Sequence, residues 1–283
     1  LKGGETDAIE GVSHDVLMAK KRELMQRALG TNQKASRRRA LRIVRDAKGR
    51  LVLTLEKTNL DKVYAEGWRK PECFTVKAAD GEIDLYGVMW KPMDFDSTKS
   101  YPIVTYVYPG PWTEYIPLDF ELTPLSGTMQ LAQLGFVVVC FGNRGGSPYR
   151  GKDYHCFGYG NLRDYPLADN KYGLEQLMKR YTFIDSTKVG IFGHSGGGAM
   201  SVAAICTYPD FYTAAVASSG NYDNTIFDYG WSEIHHGIKE VVKGGKVSFE
   251  FSIPTHLELA KNLKGHLMLV TGDADDTVNP ANT

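Results

Sequence analysis

Short apolar runs and segments of helical spacing alternate along most of this chain. The runs have the length and β-branched content of buried strands. They are Cys73–Lys77, Ile83–Trp90, Tyr101–Tyr108, Phe136–Phe141, Val189–Phe192, Ala214–Ala217 and His266–Val270. Between these runs lie segments whose apolar residues recur at helical spacing: Thr128–Leu134, Leu167–Tyr181 and the residues after Ser195. Apolar strands that alternate with helices predict an α/β fold, with a mostly parallel sheet covered by helices on both faces.

The first 70 residues follow a different pattern. Apolar residues of Asp15–Leu29 recur at helical spacing, and Lys34–Arg39 is a basic cluster that we interpret as a solvated linker. Alternating apolar positions on either side of the turn Asp46–Gly49 predict a β-hairpin. We therefore expect a helical and basic segment over 1–40, a hairpin and linker over 41–70, and an α/β domain over 71–283.

Composition excludes few classes of protein but sets some limits. Hydrophobic residues make up 42% of the chain, and 33 basic residues balance 33 acidic ones. This balance gives no reason to expect nucleic acid as a partner, and no apolar run is long enough to span a membrane. The four cysteines lack metal-type spacing, so we predict no disulfide, no metal and no other cofactor; Cys140 and Cys206 are interpreted as buried thiols. Compartment and oligomeric state stay open.

The candidate chemistry is concentrated in the stretch Lys188–Met200, KVGIFGHSGGGAM. An apolar strand runs into Gly-His-Ser-Gly-Gly-Gly and then into a helix of small apolar residues. This is the context of a nucleophile elbow, in which a strained serine stands at the top of a sheet. Gly193 and Gly197 lie two residues on either side of Ser195, where side chains would collide. We therefore predict that Ser195 is a nucleophile whose oxyanion forms near the start of the following helix.

A nucleophilic serine needs a base that a carboxylate orients. In α/β-hydrolases that carboxylate follows the serine along the chain, after a late strand. The loop after the run His266–Val270 carries three candidates, Asp273, Asp275 and Asp276. The sequence pattern by itself does not choose among them.

Four motifs together resemble the catalytic domain of the prolyl oligopeptidase family of serine peptidases, in particular its dipeptidyl peptidase IV branch. They are VYPGP at Val107–Pro111, GNRGG at Gly142–Gly146, GHSGGG at Gly193–Gly198 and GDADDTV at Gly272–Val278. The resemblance spans about residue 73 to the end of the chain. It implies an α/β-hydrolase fold, and it implies that the hairpin before this region is the remainder of a β-propeller.

The resemblance also implies roles for particular residues. Asp275 would be the catalytic acid, while the Tyr108 hydroxyl and the Gly196 N–H would hold the oxyanion. A pocket for the substrate residue before the cleaved bond would be formed by Tyr222, Tyr229, Trp231 and Val278. Aromatic walls suit a flat, apolar proline ring, so a peptide or small protein cleaved after proline or a small residue is the implied substrate.

Two positions depart from that branch, and the base is not found. Gly196 stands where the branch has a pocket tyrosine, and Thr277 stands where it has a substrate-binding asparagine, so release of dipeptides stays open. All seven histidines precede Asp275, whereas the family's histidine follows its aspartate. We therefore expect a chain that lacks the last strand, the last helix and the base, and that is inactive alone. An esterase of the same fold and a non-catalytic fragment are the alternatives.

Overall fold

The structure, a computed structural model, describes residues 41–57, 59–111, 114–116 and 127–283. The helix predicted over Asp15–Leu29 and the basic cluster Lys34–Arg39 lie outside these ranges. The described residues form two compact units, one of residues 41–57 and 59–62 and one of the remainder. No helix in the described ranges is both long enough and apolar enough to cross a membrane.

The first unit contains the predicted hairpin. Strands β1 (Leu41–Arg45) and β2 (Leu51–Lys57) pair antiparallel. One carboxylate oxygen of Asp46 accepts hydrogen bonds from the backbone N–H groups of Lys48 and Arg50, which closes the turn. The hairpin prediction is confirmed, and its origin in a propeller stays a prediction.

The second unit is built on a seven-stranded sheet. Its strands are β3 (Glu72–Lys77), β4 (Asp84–Trp90), β5 (Tyr101–Tyr106), β6 (Val137–Phe141), β7 (Ile184–His194), β8 (Ala214–Ser218) and β11 (His266–Val270). Their spatial order is β11-β8-β7-β5-β6-β4-β3. Neighbours from β6 to β11 are parallel, and β4 and β3 are antiparallel additions at one side.

Helix α1 (Asp61–Ala65) precedes the sheet in the chain. The described helices that lie between the parallel strands are α2 (Thr128–Gln133), α3 (Lys152–His155), α4 (Leu167–Arg180), α5 (Gly196–Thr207), α6 (Tyr229–His236) and α7 (Leu257–Ala260). Short 3₁₀ turns lie at Pro148–Arg150, Cys156–Gly158 and Pro280–Asn282. The fold is the predicted α/β-hydrolase fold.

The core is packed around β6 and α5. All five residues of β6 are buried, so both faces of the sheet are covered there. In α5 every residue from Gly197 to Cys206 is buried, because the helix is apolar around its whole circumference. Strand β7 ends at His194 and α5 begins at Gly196, so Ser195 is the single residue that joins them.

Strand β7 (Ile184–His194) is longer than the predicted run Val189–Phe192 and has an irregularity opposite Pro102 of its neighbour β5. Pro102 of β5 has no N–H to donate to the ladder. The register between β5 and β7 shifts at this point: Pro102 pairs with Asp185, whereas Ile103 pairs with Val189. The residues after the irregularity form the apolar run that the sequence pattern detects.

The strands β3 and β4, predicted on either side of the turn Ala78–Gly81, pair antiparallel as a hairpin. One further hairpin was not among the predicted elements. Strands β9 (Lys239–Lys243) and β10 (Lys246–Glu250) pair antiparallel across Gly244 and Gly245, which both have positive φ. Nine of the ten strand residues are exposed. The hairpin therefore shows little of the buried alternation on which strand prediction depends.

Candidate active site

Ser195 lies in a sharp turn between β7 and α5. Its backbone has φ 57° and ψ −123°, a conformation that L-residues rarely adopt and that typically costs ~1–3 kcal/mol. Its N–H donates to the Ser218 carbonyl at 2.8 Å, and its carbonyl accepts from the Ala199 N–H at 3.0 Å. The surrounding structure thus holds a strained serine at the carboxyl end of the parallel sheet.

Three glycines make this turn possible. A β carbon at Gly193 would stand 2.5 Å from the Val107 carbonyl oxygen, and one at Gly197 would overlap the same oxygen. A β carbon at Gly198 would stand 2.5 Å from the Ser218 carbonyl oxygen. Since backbone atoms cannot move aside as side chains do, these positions require glycine. The steric prediction for Gly193 and Gly197 is confirmed.

The segment that carries Tyr108 packs directly against the elbow. The Val107 N–H donates to the Phe192 carbonyl at 2.9 Å, which continues the β5–β7 ladder beyond the end of β5. The Tyr108 α carbon is 3.5 Å from the position of a β carbon on Gly197. Gly196 is the first residue of α5, so its N–H is one of the donors that a helix leaves free at its start.

Asp275 lies in the loop after β11 with its carboxylate held by backbone groups. One oxygen accepts from the N–H groups of Thr277 at 3.0 Å and Val278 at 2.9 Å. The Val278 N–H and the Ser219 hydroxyl lower the pKa of Asp275 most, the Thr277 N–H and nearby His194 lower it further, and desolvation opposes them. Asp275 is therefore ionised at neutral pH.

Ser219 links Asp275 to the sheet. It is the other described non-glycine residue with positive φ, at 43°, and its N–H donates to the Val270 carbonyl at 2.8 Å. Two strained serines, Ser195 and Ser219, thus follow neighbouring strands of the sheet. Asp273 and Asp276 are exposed.

Three of the described histidines bond to groups other than Ser195. His194 Nδ1 lies 3.1 Å from Ser218 Oγ, and His236 Nδ1 accepts from the Leu162 N–H at 3.4 Å. His256 is buried between the carbonyl oxygens of Tyr222, at 2.7 Å from Nδ1, and Ala199, at 2.9 Å from Nε2. No general base is assigned within the described ranges. Within the same ranges no three His, Cys, Asp or Glu side chains are grouped to hold a metal ion.

A small recess, partly open to solvent, lies beside Gly196. Its lining includes Gly196, Tyr165, Met200, Asn221, Asn224 and Trp231. Of the four residues predicted to contact substrate, only Trp231 is part of this lining.

The other three predicted pocket residues lie elsewhere. Tyr222 is buried against the His256 ring, Tyr229 is 63% exposed and packs on Phe251, and Val278 is buried beside Asp275. Their contact with substrate stays a prediction.

The sequence pattern gave no indication of several residues around the recess. Tyr165, Asn221, Asn224 and His256 are each at least nine-tenths buried and belong to no motif named above. Asn221 Nδ2 donates to Asn224 Oδ1 at 2.6 Å. His256 Nε2 bonds to the Ala199 carbonyl of α5, although the two residues are 57 positions apart in the sequence. Such contacts follow from the fold and leave no local pattern in the sequence.

A strained serine between a parallel strand and a buried helix, with an acid loop two strands away, defines an α/β-hydrolase with a nucleophile elbow. Residues 124–283 match the sequence profile of the prolyl oligopeptidase family. The chain belongs to the prolyl oligopeptidase family, as the four motifs predicted.

Curated relatives include peptidases of much greater length. The chain is 32% identical to human dipeptidyl peptidase 8 over 214 residues, which are 75% of this chain and 23% of that protein. It is 27% identical over 213 residues to a probable dipeptidyl-aminopeptidase B of Trichophyton verrucosum, covering 74% of this chain and 22% of the relative. The chain therefore spans about a quarter of the length of these relatives.

Solved structures share the fold. A putative dipeptidyl aminopeptidase IV from Bacteroides ovatus superimposes with a TM-score of 0.68 at 26% identity, over 86% of this chain and 33% of that chain. Porphyromonas gingivalis dipeptidyl peptidase 4 gives a TM-score of 0.67 at 23% identity, with the same coverage.

Proposed function

We propose that this chain is the catalytic region of a serine peptidase that cleaves peptides through an acyl-enzyme on Ser195. The observation that carries the proposal is the strained backbone of Ser195, fixed by the close approach of Val107 to Gly193 and Gly197. Strain of this kind persists only where the surroundings enforce it, and it is concentrated at functional sites. The family membership supports the same reaction.

The proposed chemistry has two halves. Ser195 Oγ attacks the peptide carbonyl carbon while a base takes its proton; the C–N bond then breaks, and the base returns the proton to the leaving amine. Water next attacks the ester by the same route, which frees the new carboxylate and restores the serine. We propose that the base is an imidazole oriented by Asp275, whose lowered pKa keeps it ionised so that it can accept the imidazole N–H.

We propose that the Gly196 N–H and the Tyr108 hydroxyl donate hydrogen bonds to the substrate oxygen as it becomes negatively charged. Gly196 supplies a helix-start donor, and the Tyr108 segment packs on the elbow. Donors placed where charge develops are each worth roughly 10²–10³ in kcat in this kind of reaction.

The recess beside Gly196 suits a small or flat apolar side chain. Gly196 contributes no side chain, and most of the remaining lining surface is apolar, from Trp231, Met200, Pro166 and Tyr165. A proline ring or a small side chain before the cleaved bond matches this shape and polarity. Tyr222, Tyr229 and Val278 lie outside this recess, and their contact with other parts of the substrate remains a proposal.

Labelling with a fluorophosphonate tests the nucleophile, using the longest natural form of the protein that contains this chain. We expect the probe to modify Ser195, a Ser195→Ala variant to stay unlabelled, and Asp275→Asn to label at least 10²-fold more slowly. The 283-residue chain alone is expected to stay unlabelled; labelling there would place the base within it. Absence of labelling in the longest form would refute the proposal.

Substrate class is tested with the same preparation. Glycyl-prolyl anilide and a short acyl ester are compared by kcat/KM. A preference for the anilide supports a peptidase, and hydrolysis of the ester alone would identify an esterase.

A further inference from the structure

The carbonyl oxygen of Pro109 receives two side-chain hydrogen bonds. Asn143 Nδ2 donates to it at 3.2 Å, and the Tyr165 hydroxyl donates at 3.1 Å. Both donors are buried, with 6% and 5% of their surfaces exposed. Pro109 directly follows Tyr108, so these two bonds hold the Pro109–Gly110 peptide group, the one immediately after the residue that carries the proposed oxyanion donor.

The Tyr165 ring packs closely against the backbones of two glycines. Its Cε2 lies 2.5 Å from the position that a β carbon on Gly145 would occupy, and its Cγ lies 2.9 Å from the equivalent position on Gly158. The ring is therefore held in a slot between two glycine backbones. A tyrosine held in this way delivers its hydroxyl to one fixed point with little conformational entropy left to lose.

The hydroxyl of Tyr165 is also kept protonated. Burial raises the pKa of Tyr165 well above its ordinary value, and the neighbouring phenol of Tyr108 raises it further. The hydroxyl is thus a permanent donor at neutral pH.

We propose that Tyr165 is a positioning residue that sets the place of the Tyr108 hydroxyl through the Pro109 carbonyl. This inference rests on the oxyanion role proposed for Tyr108. Without the Tyr165 hydroxyl, the Pro109 carbonyl keeps a single side-chain donor, Asn143, which also donates to the Arg144 carbonyl at 2.8 Å. A misplacement of about 1 Å in a catalytic group can reduce the rate ~10²-fold.

Tyr165→Phe tests the inference because it removes only the hydroxyl. In the longest natural form of the protein, we expect kcat on a peptide anilide to fall 10- to 100-fold while KM changes less than 3-fold. Tyr212→Phe is the matched control: Tyr212 is also fully buried and also makes one hydroxyl bond, to Asn170 Oδ1 at 2.9 Å. It should lower the thermal midpoint without lowering kcat.

A double variant distinguishes an effect of Tyr165 on kcat that acts through Tyr108 from an effect that is independent of Tyr108. If Tyr165 acts through Tyr108, Tyr108→Phe combined with Tyr165→Phe should be no slower than Tyr108→Phe alone. Multiplicative losses in the double variant would overturn the inference.

Hydrogen exchange decides the matter even if Ser195 proves inactive. Tyr165→Phe should speed amide exchange in the peptide that contains Tyr108 and Gly110 by at least 10-fold, and Tyr212→Phe should leave it unchanged. Unchanged exchange in Tyr165→Phe would overturn the positioning role, whereas faster exchange with no fluorophosphonate labelling would instead reject the proposed peptidase.

Discussion

The Val107 carbonyl oxygen lies where a β carbon on Gly197 would have to stand. This contact joins the end of β5 to the first turn of α5, and it allows the strand-to-helix turn to tighten around Ser195. We predict that Gly197→Ala destabilises the protein by ~3 kcal/mol or more, since neither backbone can give way. Urea denaturation gives the free energy of unfolding.

Gly196→Ala is the control for that variant. The nearest atom to a β carbon at Gly196 is the Gly110 carbonyl oxygen, 3.9 Å away, and Gly196 does not have positive φ. Its free energy of unfolding should change by less than about 0.5 kcal/mol. Equal destabilisation by both substitutions would contradict the steric explanation of the elbow.

Arg144 should be essential for stability because of a buried carboxylate. Asp169 is 0% exposed and accepts bonds from the Arg144 Nε, Nη2 and backbone N–H and from the Ala79 N–H. Arg144→Met would leave this charge without its main partner, so we predict a loss of ~3–5 kcal/mol in the free energy of unfolding.

A more exposed ion pair provides the comparison for Arg144. Lys171 and Glu175 form an ion pair one helical turn apart on α4, with about a third of each side chain exposed. Lys171→Met should cost no more than ~0.5 kcal/mol in the same urea experiment. Similar losses in the two variants would show that the Arg144–Asp169 contact contributes no more to the free energy of unfolding than the Lys171–Glu175 pair.

His256 should make stability depend on pH. Burial lowers the pKa of His256 and nearby Arg163 lowers it further, against the raising effects of the Tyr222 and Ala199 carbonyls and Asp164. The folded pKa is thus below the unfolded value of about 6.5. The stability that neutral His256 contributes is present above that value and is lost as pH falls through the folded pKa.

We therefore expect the free energy of unfolding to decrease between pH 7.5 and pH 5, and to decrease less in His256→Gln. His266→Gln, at an exposed position of β11, should keep the wild-type slope. Urea denaturation at a series of pH values measures both slopes. An unchanged slope in His256→Gln would assign the pH dependence to other groups.

The β11 edge should promote self-association of the isolated 283-residue chain. Met268 is 59% exposed, Leu269 44% and Val270 39%, on a strand that is paired only with β8 among the described strands. An exposed apolar edge strand is a template for pairing with another chain. We predict that Met268→Lys reduces association in sedimentation velocity. Asn262→Lys, which adds the same charge at an exposed position just before β11, should not.

Much of the fold followed from local patterns. Apolar runs marked the strands of the sheet because a parallel sheet covered on both faces needs continuous hydrophobic strands. The turn at Ser195 was predicted because the steric need for Gly193 and Gly197 is local and visible in the sequence. The hairpin over β9 and β10 was overlooked because its residues are exposed, so packing imposes no strong pattern on them.

The tertiary structure decided which side chains meet. The sequence placed Ser195 at an elbow and Asp275 in a late loop, but their surroundings depend on contacts between distant segments. The bonds of Tyr165 and Asn143 to Pro109, and of His256 to Ala199, join residues 34 to 57 positions apart. Periodicity reports only whether a residue faces the core. Which partner it contacts there depends on the order and register of the strands. These are properties of the assembled sheet, and the periodicity of a single segment does not contain them.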